Sequence, residues 1–458
     1  MPVQCTLGAL ATFKTSPGIQ DGFVALFTGN NFPDVTSSFT NTPLEINGNK
    51  ISLASRTSSS NNSILVNLDL NNNLPNVTFV STYTNVANST RFAALNLSSS
   101  NNVTLVTGET SKSNIVIRTI DSNNSLVSSF NNPPDSANGS FSVVSLVFTN
   151  ANIIIGARQS TPNYSPIIQP ILKSLSNTGN AVNWTKHVLQ SNILSTIYVS
   201  DFYENNILCR QGDLIGNNLS IFNINENGNV ISNVITLKAS LVSGDLETIL
   251  DAKYISNTET ITILTPRFGS DRTIAKFTNN TIDYQFKGNL NNSGMVFSNI
   301  FVSGNRFYTT AINFANTAID PRFINVACFD ASTGVNIWQK NIRVANANTT
   351  YNSATNITVK DDYVYIMGET DNISTTQSTF MVKLPANTGE TLYNNYVVGN
   401  SGYNIQILKG NATFLTSNLA NVITTANLTL SNANLVNTSS ITDTTNTTQT
   451  WSYTSTKI

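Results

Sequence analysis

The sequence predicts an all-β fold built from a repeated four-stranded unit. No long stretch places apolar residues at the i, i+3, i+4, i+7 spacing of an amphipathic helix. Short alternating runs rich in Val, Ile, Thr, Phe and Tyr dominate instead, and clusters of Asn, Gly and Ser separate them. The same order of runs and turns recurs roughly every 40 to 50 residues, the spacing of β-propeller blades.

Two adjacent units show the repeat most clearly. They read "NRFYTTAINFANTAIDPRFINVACFDASTGVNIWQKNIRV" and "VKDDYVYIMGETDNISTTQSTFMVKLPANTGETLYNNYVV". Each has a Thr-Gly hairpin turn, "ASTGV" or "ANTGE", in which Gly supplies the positive φ that such a turn needs. The stretch "VTLVTGETSK" in an earlier unit resembles "YVYIMGETDN" in the second of these two units. Both contain Gly-Glu-Thr, which indicates the same position in two blades.

Weaker copies predict a single propeller domain over residues 1–458. Six of them begin at residues 50, 102, 152, 206, 260 and 412. Residues 5–41 have the pattern of the last three strands of a blade, and residues 450–458 that of one lone strand. Together they would complete a closing blade and remove two free sheet edges. We expect seven to nine blades, because one unit can be an insertion.

The unit "VYIMGETD … FMVKLPANTGETLYNNYV", within residues 353–398, resembles the blades of β-propellers of the SBBP and quinoprotein-like repeat kind. The resemblance is clear for one or two units and faint elsewhere. It implies four-stranded antiparallel blades around a central axis. It implies no activity, since such folds host many functions.

Composition excludes several partner classes. Only 11% of the 458 residues are charged, against roughly 25% in an ordinary soluble domain, and the net charge is -1. No global field therefore attracts nucleic acid. The run "FSVVSLVFTNANIIIGA" is too interrupted for a membrane helix, and the N-terminal stretch lacks the basic and apolar regions of a Sec signal peptide.

Residue types that carry common catalytic and metal chemistry are scarce. Cys5, Cys209 and Cys328 are widely spaced, which predicts buried apolar side chains rather than disulfides or a zinc site. The single histidine, His187, is expected on the surface of an outer strand. "NINENG" imitates the start of a calcium loop, but Val234 stands where a Glu is needed, so a hairpin turn is expected. We expect no cofactor and no metal.

Acidic clusters leave one enzymatic alternative. A glycan-cleaving enzyme needs two carboxylates that converge. Asp361 and Asp362 precede a strand and are expected in a solvated turn, whereas Asp245, Glu247 and Asp251 in "SGDLETILD" suggest a short helical turn. No carboxylate pair repeats with the units, so a non-enzymatic protein is the leading prediction.

A charged residue recurs where the second strand of a unit runs into its turn. Chance would place a charge at about one position in nine, but seven of nine units have one, and Asn313 and Asn418 hold the position in the other two. On one propeller face these residues would form a ring that either braces neighbouring blades or binds an anionic ligand or a partner protein. The seven are Lys14, Arg56, Glu109, Arg158, Arg210, Arg267 and Glu369.

These features favour a non-enzymatic structural or attachment protein of an extracellular assembly, such as the virion of a phage or giant virus. Other proteins of the assembly, or copies of the chain, would be its partners. A virion protein reaches the outside without a signal peptide. The second hypothesis is a cell-surface, lectin-like module that binds glycans through aromatic side chains such as Tyr164, Trp184 and Phe268.

Overall fold

The structure is a computed structural model, and every regular element in the residues that it describes is a β-strand. That part of the chain contains no helix long and apolar enough to cross a membrane. The described residues are 23–28, 44–56, 63–71, 74–84, 90–109, 115–132, 140–160, 168–189, 196–212, 218–231, 235–239, 246–266, 272–279, 281–290, 293–313, 323–345, 352–370, 378–391, 395–398, 403–417, 420–424, 429–432, 439–440, 444–446 and 452–457.

The first 28 strands form seven four-stranded antiparallel units, of which the fifth and sixth are joined into one larger sheet by a short pairing of residues 289–290 with 293–294. Strand β1 is Phe23–Thr28. Unit 1 has β2 (Leu44–Asn47), β3 (Lys50–Arg56), β4 (Ser63–Asn71) and β5 (Leu74–Thr84). Unit 2 has β6 (Thr90–Leu97), β7 (Val103–Glu109), β8 (Ile115–Ile120) and β9 (Leu126–Asn132). Unit 3 has β10 (Ser140–Phe148), β11 (Asn152–Ser160), β12 (Ile168–Ser176) and β13 (Val182–Leu189).

The remaining units repeat this order. Unit 4 has β14 (Thr196–Tyr203), β15 (Asn206–Gly212), β16 (Asn218–Asn225) and β17 (Ile235–Ala239). Unit 5 has β18 (Leu246–Ser256), β19 (Glu259–Pro266), β20 (Thr273–Thr278) and β21 (Thr281–Leu290). Unit 6 has β22 (Ser293–Ser303), β23 (Arg306–Asn313), β24 (Ile324–Asp330) and β25 (Asn336–Ala345). Unit 7 has β26 (Asn352–Lys360), β27 (Tyr363–Thr370), β28 (Ser378–Pro385) and β1.

The C-terminal segment adds one strand to the outer edge of every unit, and we call residues 395–457 the girdle. Its strands are β29 (Asn395–Val398), β30 (Tyr403–Lys409), β31 (Thr413–Thr416), β32 (Ala420–Thr424), β33 (Thr429–Asn432), β34 (Ser439–Ser440), β35 (Thr444–Asn446) and β36 (Ser452–Lys457). Strands β30 to β36 pair antiparallel with units 6, 5, 4, 3, 2, 1 and 7 in turn, and β29 pairs with β30. The girdle thus visits the units in reverse chain order and covers their outer edge strands.

The prediction that a unit begins at residue 412 is wrong. Its alternating runs do form strands, but these strands lie in different sheets, one against each of units 5, 4, 3 and 2. Alternation of apolar and polar residues indicates a half-buried strand, but it does not indicate which other strand pairs with it. The repeat therefore stops at unit 7.

The first and last strands of the described residues pair with each other. Strand β1 pairs with β28 on one side and with β36 on the other. The predicted closing blade was a separate unit made of 5–41 and 450–458, whereas the structure places both strands in unit 7. Residues 5–22 and 29–41 of that prediction lie outside the described residues.

The core consists of apolar clusters between consecutive units. Within the described residues seven such clusters join units 1 and 2, 2 and 3, 3 and 4, 4 and 5, 5 and 6, 6 and 7, and 7 and 1. In the last of them Leu44 and Val66 of unit 1 pack with Tyr365 and Met381 of unit 7. The girdle contributes Ile405 and Ile407, both fully buried, to the cluster between units 6 and 7.

An aromatic side chain ties the fourth strand of three units to the hairpin turn of the next. Trp338 of unit 6 donates its indole N–H to the Ala386 carbonyl at 2.9 Å and lies against Gly389 of the unit 7 turn. The other two cases are Trp184 with the Glu226 carbonyl and Gly228, and Tyr284 with the Ala331 carbonyl and Gly334. The Thr-Gly turns of the sequence repeat therefore need glycine both for positive φ and for the ring contact.

Replacing Gly389 by Ala is expected to destabilise the protein by about 2 to 4 kcal/mol, because left-handed strain adds to a steric overlap. Gly389 has φ 61°, and a Cβ there would lie 2.6 Å from the Trp338 ring. Gly48→Ala is the matched control, since Gly48 has φ 54° and no atom within 4 Å of its Cβ position. Urea unfolding of both variants checks this, and equal losses of stability would show that the ring contact contributes nothing.

The buried cysteines agree with the sequence prediction. Cys209 and Cys328 are unpaired and fully buried. Burial raises the pKa of both thiols, that of Cys328 to about 11, so they stay in the protonated form. Cys5 lies outside the described residues.

Candidate functional site: the central cavity

The first strands of all seven units line one cavity of about 470 Å³, which we call the central cavity. The strands are β2, β6, β10, β14, β18, β22 and β26. Tyr203 and Gly304, which lie at the turns between first and second strands, line one end of it and are exposed. The cavity therefore opens on the face that carries these turns.

Bulges set the register of polar residues in the first strands of five units. In units 3, 5, 6 and 7 the first strand has a register shift, and a polar residue follows it and faces the fifth residue of the second strand. A bulge inserts one residue and so re-aims the side chain that follows. In unit 4 the register shift lies closer to the turn between the first and second strands. Asp201 follows this shift and faces the third residue of the second strand. The residues in the other four units are Ser145, Asp251, Asn299 and Asn356.

Three of these side chains accept a hydrogen bond from the first strand of the next unit. The pairs are Val199 N to Ser145 Oγ at 2.7 Å, Tyr254 N to Asp201 Oδ2 at 2.8 Å and Ile300 N to Asp251 Oδ2 at 3.2 Å. Since neighbouring first strands are not paired as a sheet, these bonds satisfy backbone groups that would otherwise be buried alone. The wall is held together by side chains.

A lysine lies between the two aspartates. Lys253 Nζ donates to the Ser200 carbonyl at 2.8 Å and lies 4.0 Å from Asp201 and 3.9 Å from Asp251. Burial raises the pKa of both carboxyl groups, and the Lys253 charge opposes the rise. Burial also disfavours the Lys253 charge, but the two carboxylates outweigh it and raise the lysine pKa. Lys253 therefore stabilises the charge of each carboxylate and is stabilised by both, whereas the two carboxylates disfavour each other's charge.

Arg210 supports this group from behind. Its Nε donates to Ser200 Oγ at 2.8 Å, and its guanidinium lies 4.2 Å from the centre of the Tyr198 ring. Burial lowers its pKa to about 10, and Asp251 partly offsets the decrease. Only 3% of Arg210 is exposed, so it braces the wall of unit 4.

Glu45 lies on the opposite part of the wall and lacks such support. It faces the third residue of its second strand, as do Asp201 and Lys253 in units 4 and 5. It makes no hydrogen bond within the described residues. Burial raises the pKa of its carboxyl to about 7, and the exposed Lys360 only partly offsets the rise. Glu45 is thus a half-buried acid whose charge Lys360 only partly stabilises.

Glu45 is expected to make folding stability fall as the pH rises from about 4.5 to 7. Its folded pKa lies above the ordinary glutamate value of 4.5, so between these two pH values the folded state holds a proton that the unfolded state has lost. This stabilisation is complete below pH 4.5 and is lost as the pH passes 7, with a magnitude on the order of 3 kcal/mol. Urea unfolding of wild type and Glu45→Gln at pH 5 and 8 checks this: the variant should lose that part of the pH dependence. An unchanged difference between the two pH values would contradict it.

Four of the seven predicted ring residues share a register. Arg56, Glu109 and Glu369 are the seventh residues of their second strands, and so is Arg158. All four lie at the end of the strand away from the cavity opening, and their side chains lie outside the described part of the structure. Arg210 lies two residues earlier and is buried, whereas Lys14 and Arg267 lie outside the described residues.

The other candidates take structural positions. Asp361 and Asp362 form an exposed turn with positive φ, as predicted. The predicted helical turn in "SGDLETILD" is wrong, because residues 246–251 belong to strand β18. Asp245 lies outside the described residues. The "NINENG" segment ends in a turn at Gly228, as predicted.

Trp184 and His187, which the sequence analysis singled out, both lie in the fourth strand of unit 3. Trp184 is in strand β13, where its ring covers Gly228 of the next unit. His187 is in the same strand, the fourth of its unit, and the girdle strand β33 pairs with it. Tyr164 and Phe268 lie outside the described residues. Within the described ranges, no three His, Cys, Asp or Glu side chains lie close enough to hold a metal ion.

Sequence reasoning missed the charged wall of the cavity. Asp201 and Lys253 occupy equivalent places in the first strands of adjacent units, but the units were aligned on their second strands. A signal was present in the sequence. Asp201 interrupts the apolar run in "STIYVSDFY", and Asp251 and Lys253 interrupt the apolar run in "ETILDAKYI". Aligning the first strands would have brought these residues together.

Comparisons with known proteins give no family for this chain. No protein-family model and no curated protein matches it, so the SBBP and quinoprotein-like resemblance stays a prediction. Similar solved structures include the β-propeller domain of the Trilobed protease from Pyrococcus furiosus, with 12% identity, a TM-score of 0.39, and coverage of 63% of this chain and 81% of that one. For the polysaccharide lyase Uly1 the values are 8%, 0.43, 80% and 99%, and for the phage phi92 endosialidase 8%, 0.41, 84% and 72%.

Proposed function

We propose that the chain is a closed seven-bladed β-propeller that serves as a non-enzymatic structural or attachment part of an extracellular assembly such as a virion. The seven units are its blades, and the cluster between units 7 and 1 closes the ring. The observation that carries this proposal is the girdle, which fastens every blade from outside. A ring tied in this way suits a part that must keep its shape outside the cell.

The central cavity supports a bracing role for its charged residues. Asp201, Asp251 and Lys253 satisfy one another and the backbone of the next blade. Each group is therefore occupied within the fold. These contacts hold the inner strands together, as the girdle holds the outer ones.

The predicted charged ring would provide the docking face. Arg56, Glu109, Arg158 and Glu369 share one register at the end of the second strands, opposite the cavity opening. Alternating signs in adjacent blades, as in the first three of these residues, would suit a partner protein with matching charges. Surface glycans are the alternative partner.

Cryo-electron microscopy of particles from the native source, without separating the chain from its partners, tests the proposal. We expect the propeller at repeated positions in a symmetric particle, with the end of the second strands against a neighbour. A free monomer in every fraction would contradict an assembly role. Docking through the opposite face would contradict the role of the charged ring alone.

One observation favours a glycan-cleaving enzyme as the second candidate. Asp201 and Asp251 line the same cavity, and burial raises the pKa of both carboxyl groups, as a general acid requires. Turnover of a glycan array that Asp251→Asn abolishes without unfolding the protein would establish this alternative. Absence of turnover for the folded wild type would count against it.

A further inference from the structure

We propose that unit 7 has a replacement strand: β29 can take the place of β1 beside β28, so that β1 can leave the ring without opening a sheet edge there. This inference is independent of the assembly role. It rests on the equivalence of the hairpin turns in units 6 and 7 and on the spacing of the residues that follow them. It also rests on the contact between β29 and β1 in the structure.

The hairpin turns after the third strands of units 6 and 7 have the same geometry. In unit 6, Gly334 N donates to the Asp330 carbonyl at 2.9 Å, and φ of Gly334 is 71°. In unit 7, Gly389 N donates to the Pro385 carbonyl at 2.8 Å, and φ of Gly389 is 61°. Both turns therefore direct the chain back along the strand that precedes them.

In unit 6 the chain does return along its third strand. The residues after the turn form β25, which pairs antiparallel with β24. Lys340, six residues after Gly334, lies opposite Val326 in this pairing. Because loop length and turn type fix the register of a hairpin, the same register is expected after an equivalent turn.

In unit 7 a different segment occupies that register. Met381 is the counterpart of Val326, since each lies eight residues before its turn glycine. The partner of Met381 is Ala25 of β1 rather than a residue that follows the turn. The residue six positions after Gly389 is Asn395, the first residue of β29. The register of unit 6 would therefore place β29 opposite Met381, where β1 lies.

Strand β29 lies close to this position and is held by a short pairing. It pairs with β30 through four residue pairs, and it is the last strand of its sheet within the described residues. It contacts both β1 and β36, the strand that pairs with the outer side of β1. A move of β29 to β28 would exchange these four pairs for four others, residues 395–398 against 378–381, and would leave β36 on its outer side.

The sequences of the two strands explain why β1 holds the position. Strand β1 reads "FVALFT", with five apolar residues of six, whereas β29 reads "NYVV". The middle of β28 is fully buried, with Phe380, Met381 and Val382 each at 0% exposure. The more apolar strand fits such a partner better. The form with β1 is therefore the populated one, and β29 is the reserve that enters when β1 leaves.

Disulfide trapping in the full chain with Cys5→Ser tests the inference. Cysteines at 25 and 381 report the form with β1, and cysteines at 381 and 395 report the form with β29. Cysteines at 326 and 340 of unit 6 are the matched control for a strand that stays paired. Peptide mass spectrometry after oxidation measures the yield of each disulfide. We expect the 25/381 yield to match that of 326/340, and the 381/395 yield to be lower but above zero.

Substitutions that weaken β1 should shift the exchange. Leu26→Asp should raise the 381/395 yield about tenfold, because a cost imposed on one of two competing forms moves the population to the other. Leu26→Ala should raise it less, and this variant is expected to fold because it adds no polar group. Leu415→Asp, at a girdle residue that is 47% exposed, is the matched control and should leave the yield unchanged.

Three results would overturn the inference. The first is a 381/395 yield of zero in every chain. The second is a yield that responds to neither substitution at Leu26. The third is an equal rise with Leu415→Asp, because it would show a general loosening of the fold rather than an exchange of strands in unit 7.

Discussion

A chain that ends at residue 394 is expected to lose its cooperative unfolding transition or to unfold at a much lower temperature. The truncation removes the girdle and exposes one edge strand in every unit. It also removes Ile405 and Ile407, which are fully buried between units 6 and 7. Burying one such side chain stabilises a fold by about 1.5 to 3 kcal/mol, so these two residues alone account for about 3 to 6 kcal/mol. Calorimetry and light scattering measure the loss of the transition and the aggregation expected from free edges.

Point substitutions separate packing from strand pairing in the girdle. The double variant Ile405→Ala with Ile407→Ala keeps the backbone pairing of β30 with β25 but leaves a cavity, so a loss of about 4 to 8 kcal/mol is expected. Leu415→Ala in β31 is the control, because 47% of Leu415 is exposed. The control should change stability by less than about 1 kcal/mol. A truncated chain as stable as the full chain would show that the girdle does not fasten the ring.

Asp251→Ala is expected to cost about 3 to 5 kcal/mol of stability. The carboxylate accepts hydrogen bonds from Ala252 N and Ile300 N and lies 3.9 Å from Lys253. Without it, two buried backbone N–H groups lose an acceptor, and Lys253 and Arg210 lose a counter-charge. The free energy of unfolding in urea measures the cost.

Two further variants show what part of that effect is electrostatic. Asp251→Asn keeps the shape and an acceptor oxygen, so a smaller loss of about 1 to 3 kcal/mol is expected. Glu390→Ala removes an exposed carboxylate and should leave stability within about 0.5 kcal/mol of wild type. An Asp251→Ala loss no larger than that of the exposed control would mean that the cavity group does not brace the inner strands.

Local patterns predicted much of the strand structure. Alternation located the second and third strands of the seven units, and the Thr-Gly signal located hairpin turns such as those of Gly334 and Gly389. Both signals act within a few residues of the chain. The role of the turn glycine against Trp338 was not visible, because that contact joins residues of different units.

The girdle and the cavity wall could not be predicted in the same way. Strands β31 to β34 alternate as a blade does, and only their pairing with four different sheets separates them from one. Glu45, Asp201 and Lys253 come together because bulges and turns bring first strands of different units to one axis. The second-strand alignment correctly gave one register to four charged residues, namely Arg56, Glu109, Arg158 and Glu369. It placed Arg210 at the same register, whereas the structure has Arg210 two residues earlier in its strand and buried.

Engineered disulfides between girdle and units test the reverse order of pairing most directly. The structure pairs Thr236 with Ile423 in unit 4 and Tyr83 with Thr445 in unit 1. In a chain with Cys5→Ser, cysteine pairs at 236/423 and at 83/445 should each form a disulfide that peptide mass spectrometry detects. The exchanged pairs 236/445 and 83/423 should not. Disulfides in the exchanged pairs, or in none of the four, would contradict a girdle that runs around the units in reverse chain order.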